Sequence, residues 1–356
     1  IFIRINSAGM TVSRSDTLFA RASKVKLRDL VLDTRRGLKG GYNDISVDAM
    51  QNTLGFAFGS MSVGTKALNK ILKEIEENKK NNKEFAKKWK QFQKGYEHAV
   101  DFLRNDLKLD SLTLLPSQNI YSMLSYFFYL KGSRPTPYQI CEIKKWFWHT
   151  ACGERYSGNR FNKNIRADLI FFKRLAEREN TRYVIDEKIS GRDFLESDYK
   201  KSGTSSTKAY FLLLQNMKPR YLANGEVMLM DSPSAISNRN DRHHIFPRAC
   251  FKHSRVKDIW INSIVNICYL AADENQSINN TLPRKYLSNY KVYRHFPTVM
   301  KSCIIPYSTH SPIWDSNFKN AFIGFLNERG KLVIKEIEKL AGEKLFDKFE
   351  VIKRIF

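Results

Sequence analysis

The chain has 356 residues, enough to bury one large core or two ordinary ones, and two units are the better expectation. Its 42% hydrophobic and 13% aromatic content is that of a folded protein and excludes a disordered one. Charge is the unusual quantity: 60 Lys and Arg stand against 36 Asp and Glu, a net +24, which points to a polyanionic partner, nucleic acid first, because each phosphate neutralised releases condensed counterions.

In chain order, residues 1–6 (Ile-Phe-Ile-Arg-Ile-Asn) form a strand-like run that opens without a methionine, which implies a start inside a domain. Ser13, with Asp16 three residues on, has the form of a helix N-cap. From there to about 180 the pattern is helical. Phe85, Trp89, Phe92, Tyr96, Ala99 and Leu103 recur at spacings of three and four and give one apolar, core-facing stripe. The lysines between 79 and 90 read as a solvated helix face, with phosphate tracking as the alternative. The apolar run 120–130 carries serines and tyrosines and falls short of the roughly 18 residues of a membrane span, so a buried helix and no membrane partner are expected.

Thr136-Pro137-Tyr138-Gln139 supplies a cap, a proline at the first helical position and a glutamine at the third, so a helix should begin there and carry Trp146, Phe147 and Trp148. The run 200–206 (Lys-Lys-Ser-Gly-Thr-Ser-Ser) has the composition of a flexible junction, dividing the chain into domains 1–200 and 201–356. After 225 the texture changes to short strands and turns and then returns to helix. Phe318, Phe322 and Phe325, and then Val333, Ile337 and Leu340, mark two amphipathic turns. The fold class is therefore mainly α-helical with a small α+β insert. Five scattered cysteines (Cys141, Cys152, Cys250, Cys268, Cys303) with no Cys-x-x-Cys pair point to reduced thiols in a cytoplasmic protein.

The chemistry concentrates in the insert. His98, His149, His295 and His310 are isolated and read as structural or surface histidines, and His253 lies in a basic loop. His243 and His244 are adjacent. Asp241-Arg242-His243-His244-Ile245-Phe246-Pro247 reads as a polar run turning into a short strand stopped by proline, 263–270 as a second strand, and Asp273-Glu274-Asn275-Gln276-Ser277 as a capped helix start. Strand, loop, strand, helix is the ββα-metal order. Phosphodiester hydrolysis needs a base of near-neutral pKa, which histidine supplies, and a cation to neutralise the phosphate and the departing oxygen. Adjacent strand residues face opposite sides, so joint action of the two histidines requires an irregular strand at that point.

These residues resemble the HNH motif, and most closely the nuclease domain of GmrSD-type modification-dependent (type IV) restriction endonucleases, over roughly 225–345. CRISPR effector HNH domains share the same skeleton. The resemblance implies His244 as general base, His243 and Asn275 as metal ligands, and Asn266 as the asparagine that holds the loop bearing the base. It also implies a helical N-terminal domain beside a ββα-metal (HNH) nuclease domain flanked by helices. The expected cofactor is a divalent metal, Mg²⁺ first, with Mn²⁺, Ni²⁺ or Zn²⁺ as the alternatives that a histidine opens where relatives carry a carboxylate. Arg242, Arg248, Lys252 and Lys285 flank the site as candidate phosphate contacts.

The first half resembles the latter part of the NTPase-like domain of the same enzymes, at Phe2-Ile3-Arg4-Ile5-Asn6-Ser7-Ala8-Gly9 with Ser13-Arg14-Ser15-Asp16, and at Trp146-Phe147-Trp148 with Arg155-Tyr156-Ser157-Gly158. The Asp-Gly-Gln-Gln-Arg motif that handles nucleotide in that domain is not among these residues, so an NTPase-like half or subunit is an expected partner and not an activity of this chain. The expected function is metal-dependent nicking or cleavage of double-stranded DNA, in restriction of modified phage DNA. A catalytically silent DNA-binding or partner-docking module is the alternative.

Overall fold

A computed structural model describes residues 13–77, 82–178, 180–228, 240–252 and 254–348, and they are mostly helical. The strand-like run at 1–6 and His253 lie outside the described residues. The chain divides into two compact units, Ile1–Thr150 with Glu154–Val184, and Ala151–Gly153 with Ile185–Phe356. Among the described residues no helix is long and apolar enough to cross a membrane.

The first unit comprises α1 (Arg14–Arg21), α2 (Leu27–Gly37), α3 (Val47–Ala57), α4 (Thr65–Glu77), α5 (Asn82–Asn105), α6 (Gln118–Lys131), α7 (Pro137–Cys152, whose last residues belong to the second unit) and α8 (Phe161–Glu177). Ser13 caps α1 by accepting from the Asp16 amide. Thr136 and Gln139 exchange their capping bonds at the start of α7, as their spacing requires. The stripe Phe85, Trp89, Phe92, Tyr96, Ala99 and Leu103 is buried along α5. Helix α6 is buried on every side from Ile120 to Phe128 and packs against α3, α5 and α8. At Gly95 a β-carbon would lie 2.9 Å from the Ser125 carbonyl oxygen, so glycine sets how closely α5 and α6 approach.

The signature residues around 146 and 155 meet at one carboxylate. Asp168, 1% exposed, accepts from Trp146 Nε1 (2.9 Å), the Tyr156 hydroxyl (2.8 Å) and Arg155 Nη2 (3.0 Å). Burial pushes the Asp168 carboxyl up; the Arg155 charge and the three donors pull it back. Asp168→Ala would remove the acceptor shared by a buried guanidinium, a buried indole N–H and the half-buried Tyr156 hydroxyl, so the first unit should lose about 3–5 kcal/mol of stability. Urea unfolding followed by tryptophan fluorescence checks this, and an unchanged transition would remove the knot as a stabilising element.

The second unit comprises α9 (Gly191–Leu195), α10 (Ser205–Asn216), β1 (Asn240–His244), α11 (Asp258–Ile261), β2 (Ile267–Ala271), α12 (Ala272–Ile278), α13 (Pro283–Tyr286), α14 (Phe296–Ser302) and α15 (Phe318–Ala341). Among the described residues the one sheet is the antiparallel pair β1–β2, with His243 opposite Cys268 and His244 opposite Ile267. The core forms where α15 lays Phe322 and Phe325 against Phe246, at ring separations of 5.3 and 5.1 Å.

Four local expectations change. The division falls between 184 and 185 instead of between 200 and 201, because Ile189 already pairs with Phe346. The 200–206 run is no linker: Thr204 caps α10 by accepting from the Thr207 amide, so its small polar residues are cap and first turn. The expected strand 263–270 begins only at Ile267. Ser263 takes the Val265 amide with its hydroxyl and winds Ile264–Asn266 into a 3₁₀ turn. The two C-terminal turns are one 24-residue helix, α15.

Candidate nuclease site

The end of β1 is held by three neighbours. Asn266, fully buried, accepts from the Phe246 amide (2.9 Å) and donates through Nδ2 to the carbonyls of Phe246 (3.2 Å) and Ile261 (2.9 Å). Its own carbonyl accepts from the Ile245 amide (2.8 Å). The Tyr286 hydroxyl donates to the Ile245 carbonyl (3.1 Å), and the Tyr210 hydroxyl to that of Ile267 (2.6 Å). The ladder thus ends at His244, and beyond it Asn266 receives the next two amides, Ile245 with its backbone carbonyl and Phe246 with its side chain. Both histidines lie inside the regular register of the ladder, opposite Cys268 and Ile267, and the pairing changes only after them, at Ile245 and Phe246.

The two imidazoles face different surroundings. His243, 5% exposed, places Nδ1 2.6 Å from Asn275 Oδ1, with Tyr286 edge-on to its ring. An amide oxygen only accepts, so Nδ1 is the donor in this contact. His244 has Tyr199 edge-on at 5.0 Å and Nε2 3.4 Å from Asn262 Oδ1. Arg248 Nη1 donates to that same oxygen at 3.2 Å. Because a guanidinium can only donate, the Asn262 atom between them is the oxygen, and His244 Nε2 must donate to it too. That leaves Nδ1 as the proton-accepting nitrogen of neutral His244. Burial is the main cause that lowers the His244 pKa, helped by the charges of Arg248 and Lys200 and opposed by the Asn262 bond and Asp198, so the ring is neutral at pH 7.

Of the four expected phosphate contacts, all are exposed. Arg242 lies over the Phe211 ring at 4.1 Å, and Arg248 also pairs with Asp258 at 3.0 Å. Lys252 follows a 3₁₀ turn and Lys285 sits on α13. Asp273 does not cap α12 as expected; Ala271 occupies that position, and Asp273 accepts from the next amide instead.

Tyr199, Asn262, Glu274 and Arg329 join the site without a signal in the sequence. Glu274, buried next to Asn275, accepts from the Ala223 amide (2.9 Å), and burial raises its pKa. Arg329, on α15 and fully buried, donates to the carbonyls of Val265 and Ile267, which flank Asn266, and to those of Cys303 (2.9 Å) and Ile304 (3.0 Å).

Among the described residues no cluster of three His, Cys, Asp or Glu can hold a metal ion. A cation here would rest on two side chains, His243 and Asn275. Those two atoms share a hydrogen bond in this structure, so a cation between them would require the Nδ1 hydrogen to move to Nε2 and the pair to open from 2.6 Å to about 3 Å, the spacing of adjacent ligands about 2.1 Å from one ion.

No family model matches the chain. It is 26% identical over 306 residues to an uncharacterized protein of the archaeon Methanocaldococcus jannaschii, a match that covers 81% of this chain and 49% of that protein. The chain thus spans about half the length of the curated relative it matches.

Proposed function

We propose that the second unit is a metal-dependent HNH-type DNA nuclease of the ββα-metal class, acting as in GmrSD-type modification-dependent restriction endonucleases on phage DNA. One observation carries this reading: the last two residues of β1 set His243 against Asn275 and His244 against Asn262, where burial keeps His244 neutral and its Nδ1 is left to accept a proton. The order β1, β2, α12 and the Asn266 clamp on the loop after His244 agree with it. His244 takes the proton from the attacking water. His243 and Asn275 would hold the divalent ion, which supplies charge neutralisation at the phosphate and the departing oxygen. Arg242, Arg248, Lys252 and Lys285 bring the phosphate backbone to this end of the unit. An NTPase-like half or subunit is part of the same proposal.

The small number of protein ligands favours a second reading, a catalytically silent DNA-binding or partner-docking module. Plasmid nicking in Mg²⁺, Mn²⁺, Ni²⁺ or Zn²⁺, with His243→Ala and Asn275→Ala alongside, separates the two. The nuclease reading expects nicking that needs the ion and falls on the order of a hundredfold in each variant, as lost metal-site groups do. Tight binding with no nicking in any metal, on plain or modified DNA, would leave the silent module.

A further inference from the structure

Charge is distributed unevenly around the candidate site. From 242 to 257 the chain has five cations and no Asp or Glu, and from 275 to 314 it again has five (Arg284, Lys285, Lys291, Arg294, Lys301) and no Asp or Glu. Within the second stretch lies the most exposed large apolar side chain among the described residues, Val292, 82% exposed, beside Tyr293 at 46%. Lys291 and Arg294 flank them and are also exposed.

This loop is pinned. Successive turns close it, from the Lys291 amide to the Ser288 carbonyl (3.3 Å), Tyr293 to Tyr290 (3.0 Å) and Phe296 to Tyr293 (3.0 Å), which puts Val292 at the apex of the middle turn. His295 donates through Nε2 to the Leu222 carbonyl (2.9 Å) and stacks on Tyr293, with centroids 5.3 Å apart and planes within 5°. Lys291 Nζ sits 3.3 Å from the centre of the Trp314 ring. The loop also follows directly on the site: Tyr286, four residues before Tyr290, lies edge-on to His243 and donates to the Ile245 carbonyl. An apolar residue held in water at the apex of a fixed turn between two cations gains nothing for the free protein. It is the arrangement by which DNA-binding proteins place an apolar wedge at a base step while flanking cations hold phosphates. An aromatic ring already backed on one side offers a surface on which a base stacks.

Resting on the nuclease reading, we propose that residues 291–294 form a second DNA-contacting element, with Lys291 and Arg294 on phosphates and Val292 and Tyr293 against an unstacked base step beside the cleavage site. The segment joins the cutting chemistry to a local distortion of the duplex.

The test uses the whole chain, a fluorescein-labelled duplex read by anisotropy from 50 to 200 mM salt, and a duplex carrying 2-aminopurine. Lys291→Gln with Arg294→Gln should weaken binding about tenfold or more at 0.1 M salt and make the log–log salt slope shallower by about 2, at roughly 0.9 per phosphate contact. Val292→Ser with Tyr293→Ser should keep the slope and abolish the rise in 2-aminopurine emission that wild type produces. Arg294→Gln alone, with its thermal unfolding measured, guards against misfolding of the pair and should lower the slope by about 1. Unchanged slope and emission in all variants would overturn the proposal, as would a wild type that binds no duplex. A wild type that binds without nicking would instead overturn the nuclease reading, while the slopes and the 2-aminopurine signal would still decide the role of this loop.

Discussion

Replacing His244 by alanine is expected to lower metal-dependent nicking by about 10²- to 10⁴-fold, the contribution of a positioned general base, while DNA affinity stays within about twofold. The size of the effect follows from its surroundings. Burial and the neighbouring cations keep the ring neutral at pH 7, and the amide oxygen of Asn262 shared with Arg248 fixes which nitrogen carries the hydrogen. Alanine removes the acceptor and leaves beside the site the neutral Asn262 amide and Tyr199, whose hydroxyl burial pushes above its ordinary value and so away from service as a base at pH 7. The affinity is spared because the expected phosphate contacts are separate, exposed side chains. Single-turnover nicking of supercoiled plasmid, with anisotropy on the same preparation, gives both numbers. Wild-type nicking by the variant would move the base elsewhere, and a parallel loss of binding would make His244 a structural residue.

The parts of this molecule written in local chemistry are legible in the sequence. Ser13 with Asp16, and Thr136 with Gln139, announce helix starts because capping is a contact between residues three apart. The α5 stripe is legible because burial on one face repeats every turn. Asn275 stands out beside the histidine pair because motif spacing encodes the return of α12 to β1, and the structure brings it to His243. What stays hidden depends on distant partners. Tyr199 and Asn262 reach His244 through the Asp198–Ser263 bridge, which no local pattern encodes. Residues 263–266 are as apolar as a strand, and only the Ser263 hydroxyl and the Asn266 amide, both used on backbone groups, turn them into a 3₁₀ segment. In α15 the polar run Asn327-Glu328-Arg329-Gly330 lies between the two amphipathic turns that the apolar spacing marks. It continues as helix because Arg329 finds carbonyl acceptors on other segments of the unit.

Arg329→Met should therefore do more damage than any cavity of similar size. The side chain is fully buried and donates to backbone oxygens of Val265, Ile267, Cys303 and Ile304. Methionine fills much of the volume and supplies no donor. Each carbonyl left unsatisfied costs about 1–3 kcal/mol, offset in part because a buried cation no longer has to be desolvated, so the expected net loss is about 3–5 kcal/mol. Lysine is not a rescue: its three donors radiate from one nitrogen and cannot span acceptors that the planar guanidinium meets on separate edges. With two units in the chain, a single unfolding midpoint would blur the effect, so hydrogen exchange read by peptide is the suitable measurement. Protection should fall across 263–271 and 296–305 and hold across 118–131. Nicking should fall with it, because Val265 and Ile267 bracket Asn266 and a slack bracket frees the loop that presents His244. Unchanged protection at 263–271 would show that the strand end is fixed by Asn266, Tyr210 and Tyr286 alone, and that the buried charge serves only the packing of α15.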